Sequence, residues 1–399
     1  MPLFARRLAD RLKNLAEFFP VVVLTGARQT GKTTLLRATF PLHHYVSLDL
    51  PSEAAAAETD PAGFLRRHPP PILVDEVQYA PGLFRHVKAA VDAGGNQNGQ
   101  FVLTGSQHFA LMQSTAESLA GRAAVLDLHP LSASEIRAAE PGHPVLADPA
   151  TAIHRGFFPA LWRQPDLPSA EFYSSYVATY LERDLRVALD VGNLLDFERF
   201  MRLCAARTGQ LLNKTALARD AGISTKTTAT WLSALQACNQ VTLVTPWHGN
   251  LSKQLVKSPK LYFNDPGLAA FLMGLDLDAV RSSPWSGALW ETAVCAELRK
   301  ALSWRPTSET LHFYRDTDGG EVDFVIGSGV HLDLVECKWT ETPTARDAAA
   351  MHRCARLMDG SGGARVRTRV IACRTPVPFL LGQEVRALSG LELGDNLRS

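Results

Sequence analysis

Short apolar runs separated by polar stretches dominate the first 130 residues. Pro20–Thr25, Tyr45–Leu48, Ile72–Val74, Phe101–Thr104 and Ala124–Leu128 are rich in apolar and β-branched residues at successive positions. Runs apolar on both faces suit strands of a buried parallel sheet, not a half-exposed antiparallel one. The segments between them, Thr33–Thr39 and Ala80–Val91 among them, have room for crossover helices. This pattern predicts the α/β class.

Farther along the chain the pattern changes. Ser132–Asp166 carries Ala, Pro and Gly with isolated charges, which predicts small helices and connections. In Ser169–Asp190, residues Phe172, Tyr176, Val177, Tyr180 and Leu181 recur at three- and four-residue spacing, which predicts a helix. Arg207–Lys260 reads as helical and then strand-like. Trp285–Ser399 opens with an amphipathic helix over Leu289–Leu302 and continues into hairpin-like strands. The expected division is 1–165, 166–280 and 281–399, in keeping with a chain of 399 residues and about 150 residues per domain.

Composition narrows the classes. Hydrophobic residues make up 46% and charged ones 20%, a globular mixture. No apolar run approaches the roughly 18 residues needed to span a bilayer, and the first 14 residues are charged throughout, unlike a signal peptide. A soluble, cytoplasmic protein without membrane contact is expected. The six cysteines form no CxxC pair, so buried free thiols are expected in place of a zinc knuckle or disulfide framework. A net charge of +1 gives no global attraction to nucleic acid, so any such binding must come from a local patch.

Gly26-Ala-Arg-Gln-Thr-Gly31-Lys32-Thr33 fits G-x-x-x-x-G-K-[ST], after an apolar strand and before a helical segment. Glycines let backbone N–H groups curl around a phosphate, and the helix N-terminus adds positive potential. Lys32 would reach the β- and γ-oxygens, and Thr33 would ligate Mg²⁺. The candidate ATP-binding set is Gly26, Ala27, Arg28, Gln29, Thr30, Gly31, Lys32, Thr33 and Thr34, with Asp75, Ser106 and Gln107. Ile72-Leu-Val-Asp75-Glu76 would deliver Asp75 to Mg²⁺ and Glu76 to the attacking water, at the C-terminal edge of a strand. Ser106 or Gln107, after the strand Phe101–Thr104, is either a γ-phosphate sensor or part of a helix-capping turn. Arg122 is either an arginine finger or a structural ion pair; acting in trans, it would require a homo-oligomer.

Leu211–Thr225 reads as helix, turn, helix, with Gly222 for the turn and Ser224 as N-cap. The second helix, about Thr225–Cys238, should bury Ala229, Leu232 and Leu235 and expose Lys226, Thr227 and Thr230. Val241–Thr245 and Gln254–Val256 would flank a wing at Trp247–Asn250. Seven basic residues here (Arg207, Lys214, Arg219, Lys226, Lys253, Lys257 and Lys260) face one acid, Asp220, a local charge of +6. Such asymmetry suits phosphate-backbone contacts through Lys214, Arg219, Lys226, Lys253 and Lys257, with DNA ahead of RNA; a protein contact with solvated lysines is the alternative.

Near the C-terminus, Glu321–Ile326 and Val330–Trp339 read as a hairpin. A Ser328-Gly329 turn would set Glu336 opposite Glu321, with Asp323 on the same face. Glu291, Asp323 and Glu336 are the candidate ligands of a second Mg²⁺, with Glu336 and Lys338 as catalytic groups of phosphodiester cleavage. A surface hairpin, or a nuclease-like fold that does not cleave, remains the other reading.

The phosphate loop, Asp75-Glu76, Thr104-Gly105-Ser106-Gln107 and Gly121-Arg122 resemble those of a prokaryotic AAA-type ATPase family whose members carry a C-terminal region of unknown function. The resemblance continues through Tyr180-Leu-Glu-Arg-Asp184, Lys260-Leu-Tyr-Phe-Asn-Asp265-Pro-Gly-Leu268 and Trp290-Glu291. It implies an AAA-like nucleotide domain, a middle winged helix and a restriction-endonuclease-like end.

Overall fold

The computed structural model describes residues 4–95, 97–106, 118–141, 144–181, 194–247, 258–315, 320–359, 364–382 and 384–397. They form two compact units, one of Phe4–Leu131 with Ala237–Asn239, the other of Ser132–Gln236 with Gln240–Ser399.

The first unit is built on a parallel sheet of β1 (Val21–Thr25), β2 (His44–Ser47), β3 (Ile72–Asp75), β4 (Phe101–Thr104) and β5 (Ala123–Asp127), in the order β2-β3-β4-β1-β5. Every strand falls within one residue of its expected position. Helices α1 (Lys32–Thr39) and α2 (Leu83–Ala93) lie between the strands. Strands β1, β3 and β4 are buried at every position. On one face Val21, Val23, Ile72, Val74, Phe101 and Leu103 pack with Phe64, Leu83, Phe84 and Val87. On the other Val22, Leu24, Leu73 and Val102 are buried as well, which is why these strands carry apolar residues on both faces.

In the second unit a nine-stranded sheet runs β13-β14-β12-β11-β10-β9-β7-β8-β6. Its strands are β6 (Gln210–Leu211), β7 (Val241–Pro246), β8 (Lys260–Phe263), β9 (Thr310–Arg315), β10 (Glu321–Ser328), β11 (His331–Cys337), β12 (Arg365–Cys373), β13 (Phe379–Leu381) and β14 (Val385–Ser389). The middle and C-terminal stretches thus share one sheet, joined where Thr245 and Pro246 of β7 pair in parallel with His312 and Phe313 of β9. The helix expected over Ser169–Asp190 begins as α3 (Ser169–Tyr176), continues as a π-turn over Val177–Leu181, and then passes outside the described residues. Helices α4 (Lys214–Ala221) and α5 (Thr225–Ala237) flank Gly222, which caps α4 at φ +73°. In α5, Thr228, Trp231 and Ala234 are buried beside Leu232 and Leu235, while the expected core residue Ala229 is only half-buried. Trp231 draws the buried face round because its ring packs edge-on against Phe197 and Phe200.

The Asn264-Asp265-Pro-Gly stretch acts as a buried joint. Asp265 accepts hydrogen bonds from Leu268 N at 3.0 Å, which caps α6 (Pro266–Leu272), from Phe157 N at 2.8 Å and from Tyr173 Oη at 2.6 Å. Burial pushes this carboxyl's pKa up, and the three donors pull against it. Gly156, at φ +73°, is required beside it, because a Cβ there would come within 1.8 Å of Tyr173 Oη. Tyr173→Phe, which removes one donor from a buried acid, is expected to cost about 1–3 kcal/mol, measured by chemical denaturation.

Candidate functional site

The phosphate loop leaves the C-terminal end of β1 and enters α1. Gly26 lies at φ +144°, and a Cβ on it would come within 2.3 Å of Leu128 O. Gly31 caps α1 at φ +90°. Both glycines are therefore demanded by the backbone path. Lys32 is buried and folds back on its own loop, donating to Gly26 O at 2.9 Å and Ala27 O at 3.0 Å. Thr30 Oγ1 donates to Ala27 O at 2.8 Å. Ala27 is buried, Arg28 half-buried, and Gln29 and Thr34 exposed.

Thr33 Oγ1 donates to Asp75 Oδ2 at 2.6 Å, so the two groups expected to share Mg²⁺ already touch. Asp75 is buried, and desolvation raises its pKa above the usual carboxylate value; hydrogen bonds from Thr33 and Tyr45 work the other way. Glu76 sits in left-handed backbone at φ +55°. Its Oε2 accepts from Gln78 Nε2 and, at 3.3 Å, from Ser106 Oγ. β4 lies beside β1, with Thr104 paired to Leu24, so Ser106 emerges next to the loop. Two further buried polar atoms at this edge, Gln78 Oε1 and Thr104 Oγ1, have no hydrogen-bond partner among the described residues. An edge with unmet polar atoms, a lysine within its own loop and a Thr–Asp pair fits a bound nucleotide with its cation. Gln107 lies outside the described residues.

Arg122 is not brought to this place. It precedes β5, whose Ala123 pairs with Val21 at the start of β1, whereas the loop follows the end of β1. Five strand residues at about 3.3 Å each separate the two ends by roughly 16 Å. Arg122 Nε instead meets Asp92 Oδ1 of α2 at 2.6 Å. Within one chain the ion-pair reading fits, and the arginine-finger reading does not.

Three contributors were not foreseen. Tyr45 Oη donates to Asp75 Oδ2 at 3.1 Å, Gln78 holds Glu76, and Arg6 braces the loop from outside. Arg6 Nη1 donates to Thr30 O at 2.8 Å and its Nη2 to His129 O at 2.7 Å. No motif marks Arg6; only the chain path brings it there.

In the second unit the C-terminal carboxylates do converge, though in a different register. The turn is Gly329-Val330, with Ser328 paired to His331 and Phe324 to Val335, one residue beyond the expected Ser328-Gly329. One step further along the ladder Asp323, not Glu321, falls opposite Glu336. Asp323 Oδ2 accepts from Cys337 N at 2.8 Å. Glu336 is buried; its Oε1 accepts from Lys338 Nζ at 2.7 Å, and its Oε2 has no hydrogen-bond partner among the described residues. Burial, and then the nearby Asp323, push the Glu336 carboxyl up to about 7.

Glu291, on α7 (Ser286–Trp304), joins this group, but Lys260 stands among the acids. Its Nζ lies 2.9 Å from Glu291 Oε1, 2.6 Å from Glu321 Oε1 and 3.5 Å from Asp323 Oδ1. Tyr262, two residues along β8 and on the same face, also donates to Glu291. Burial opposes the ammonium, yet Glu291, Asp323 and Glu321 together raise its pKa above that of ordinary lysine. Among the described residues no group of three or more His, Cys, Asp or Glu is placed to hold a metal ion. The Lys260 ammonium thus stands against two of the three expected Mg²⁺ ligands, Glu291 and Asp323.

The expected basic patch shrinks for the same reason. Lys260 is withdrawn into the acids, and Arg207 pairs with Asp220. Lys253 and Lys257, with most of the expected wing, lie outside the described residues, while Lys214, Arg219 and Lys226 are exposed.

Residues 19–137 match the family described as AAA domain, residues 147–279 a domain of unknown function (DUF8612), and residues 286–385 another (DUF4143). The first unit is therefore an AAA-type P-loop ATPase. The chain belongs to the family of two uncharacterized mycobacterial proteins, Mb2031c of Mycobacterium bovis and Rv2008c of Mycobacterium tuberculosis. It is 30% identical to each over 344 residues, 85% of this chain and 75% of theirs. Among solved structures it is similar to the Walker-type ATPase PABY2304 of Pyrococcus abyssi, with 16% identity and a TM-score of 0.47 over 68% of this chain and 96% of that one. AMPPCP-bound DnaA from Aquifex aeolicus gives 13% identity and a TM-score of 0.29, over 57% and 85%. Among the described residues no helix is long and apolar enough to cross a membrane.

For Arg122→Ala, ATP turnover is expected to stay within about twofold and stability to fall by no more than about 1 kcal/mol, as for an exposed pair. A loss of roughly a thousandfold or more in steady-state assays would instead establish a role in trans.

Proposed function

We propose that this ATPase hydrolyses ATP at the phosphate loop and uses the nucleotide state to control contact with nucleic acid. The observation that carries the first half is the chain of contacts Thr33–Asp75 and Glu76–Ser106 at the mouth of the loop. Thr33 and Asp75 would hold Mg²⁺, which when bound neutralises charge on the β- and γ-phosphates. Lys32 would exchange the carbonyls of Gly26 and Ala27 for phosphate oxygens, keeping its charge compensated throughout. Glu76 would aim a water at the γ-phosphate, held in place by Gln78 and Ser106. Loss of that phosphate would be felt first at Ser106, whose hydroxyl already rests on Glu76.

The second half rests on the exposed Lys214, Arg219 and Lys226 around the α4–Gly222–α5 turn, which would be the helix-turn-helix part of a winged helix. These cations would contact the phosphate backbone of DNA, without base specificity of their own. Phosphodiester cleavage is left out of this proposal. The alternative of a nuclease-like end that serves contacts only is favoured by Lys260, whose ammonium pairs with Glu291 and Asp323, two of the three expected metal ligands.

Lys32→Ala is expected to abolish ATP turnover and weaken nucleotide binding by calorimetry at least tenfold; unchanged turnover overturns the assignment. Glu76→Gln is expected to lower turnover by about a hundredfold or more while leaving binding nearly intact. In a fluorescence-anisotropy salt titration with duplex DNA, Arg219→Ala or Lys226→Ala should each reduce the log–log slope by about one. A flat salt response in the unaltered protein would remove the nucleic-acid half.

A further inference from the structure

The acidic cluster of the second unit holds four carboxylates from three elements. Glu291 comes from α7, Glu321 and Asp323 from β10, and Glu336 from β11. Lys338 at the rim pairs with Glu336. Lys260 enters from β8, a strand whose four residues are all buried. A lysine in such a strand must meet an opposite charge, since an uncompensated buried ammonium is not tolerated.

We propose that the Lys260 ammonium is the resident cation of this cluster, standing where a divalent ion would otherwise be held between Glu291 and Asp323, so that the cluster assembles without metal. Three features support it. An ammonium has three N–H donors, and three carboxylate oxygens surround Lys260 Nζ at 2.6, 2.9 and 3.5 Å. The approach is fixed, because Tyr262 on the same strand face holds the Glu291 oxygen that Lys260 also uses. The fourth carboxylate has its own cation, since Glu336 Oε1 accepts from Lys338 Nζ at 2.7 Å, so each acid of the cluster already faces a positive charge. A divalent ion held by these same oxygens at about 2.0–2.6 Å would sit on the ammonium itself, so a metal and Lys260 cannot share the space.

The inference rests on this unit alone and stands or falls independently of the nucleotide reading. It is tested on the full-length, nucleotide-free protein with Mn²⁺ at mildly alkaline pH, free ion being counted by electron paramagnetic resonance. Asp323→Asn separates cluster binding from binding elsewhere. The unaltered chain should bind no Mn²⁺ that Asp323→Asn removes. Lys260→Ala and the bulkier Lys260→Met, checked for folding by circular dichroism, should each gain one Mn²⁺ site, at least about tenfold tighter than in the parent. Adding Asp323→Asn should abolish that gain. Cluster-bound Mn²⁺ in the unaltered chain, or folded Lys260 variants without a new site, overturns the proposal. Should neither variant fold, the unaltered chain decides alone: Mn²⁺ sensitive to Asp323→Asn overturns the proposal, and its absence upholds it.

Discussion

A charge taken out of water must be met by another charge or by hydrogen bonds, and both units are organised around that requirement. Transferring an ammonium or carboxylate into a poorly polarisable interior costs several kcal/mol unless partners are in place. Lys32 meets it with two carbonyls of its own loop, and Asp75 with two hydroxyls and a backbone N–H. Lys260 meets it with three carboxylates. The solutions for Asp75 and Lys260 also tie elements together, because their partners come from different strands and helices.

The two lysines nevertheless differ in kind. Lys32 is satisfied by neutral carbonyl oxygens, which a phosphate, carrying full negative charge, can outcompete. That makes it a group ready to exchange partners. Lys260 is already paired with full charges in a buried site, where removing either side leaves an uncompensated ion. The first arrangement suits a site that binds and releases; the second suits a permanent cross-link between β8, α7 and β10.

Much of the nucleotide site was legible in the chain. G-x-x-x-x-G-K-T is a contiguous motif whose spacing is set by how a backbone wraps one phosphate, so the sequence carries its geometry. The strands β1, β3 and β4 were legible because burial on both faces leaves an unbroken apolar record. Tyr45 and Arg6 were not, since each reaches the site from an element distant in sequence, and Gln78, though only two residues from Glu76, belongs to no motif that marks it. The hairpin at Glu321–Cys337 was visible as a hairpin, but its register turned on which residue pair forms the bend. Gly329, at φ +60°, opens the turn instead of closing it.

What the chain determined alone was local: strand and helix periods, the phosphate loop, and the order of acids along the C-terminal strands. These follow from backbone geometry and side-chain alternation over a few residues. Only the tertiary structure decided that Arg122 faces Asp92 and that Lys260 belongs with Glu291 and not with the surface lysines. Charge has no periodicity that reveals its partner. Pairing depends on which elements the fold lays side by side, and those choices are made by the whole core.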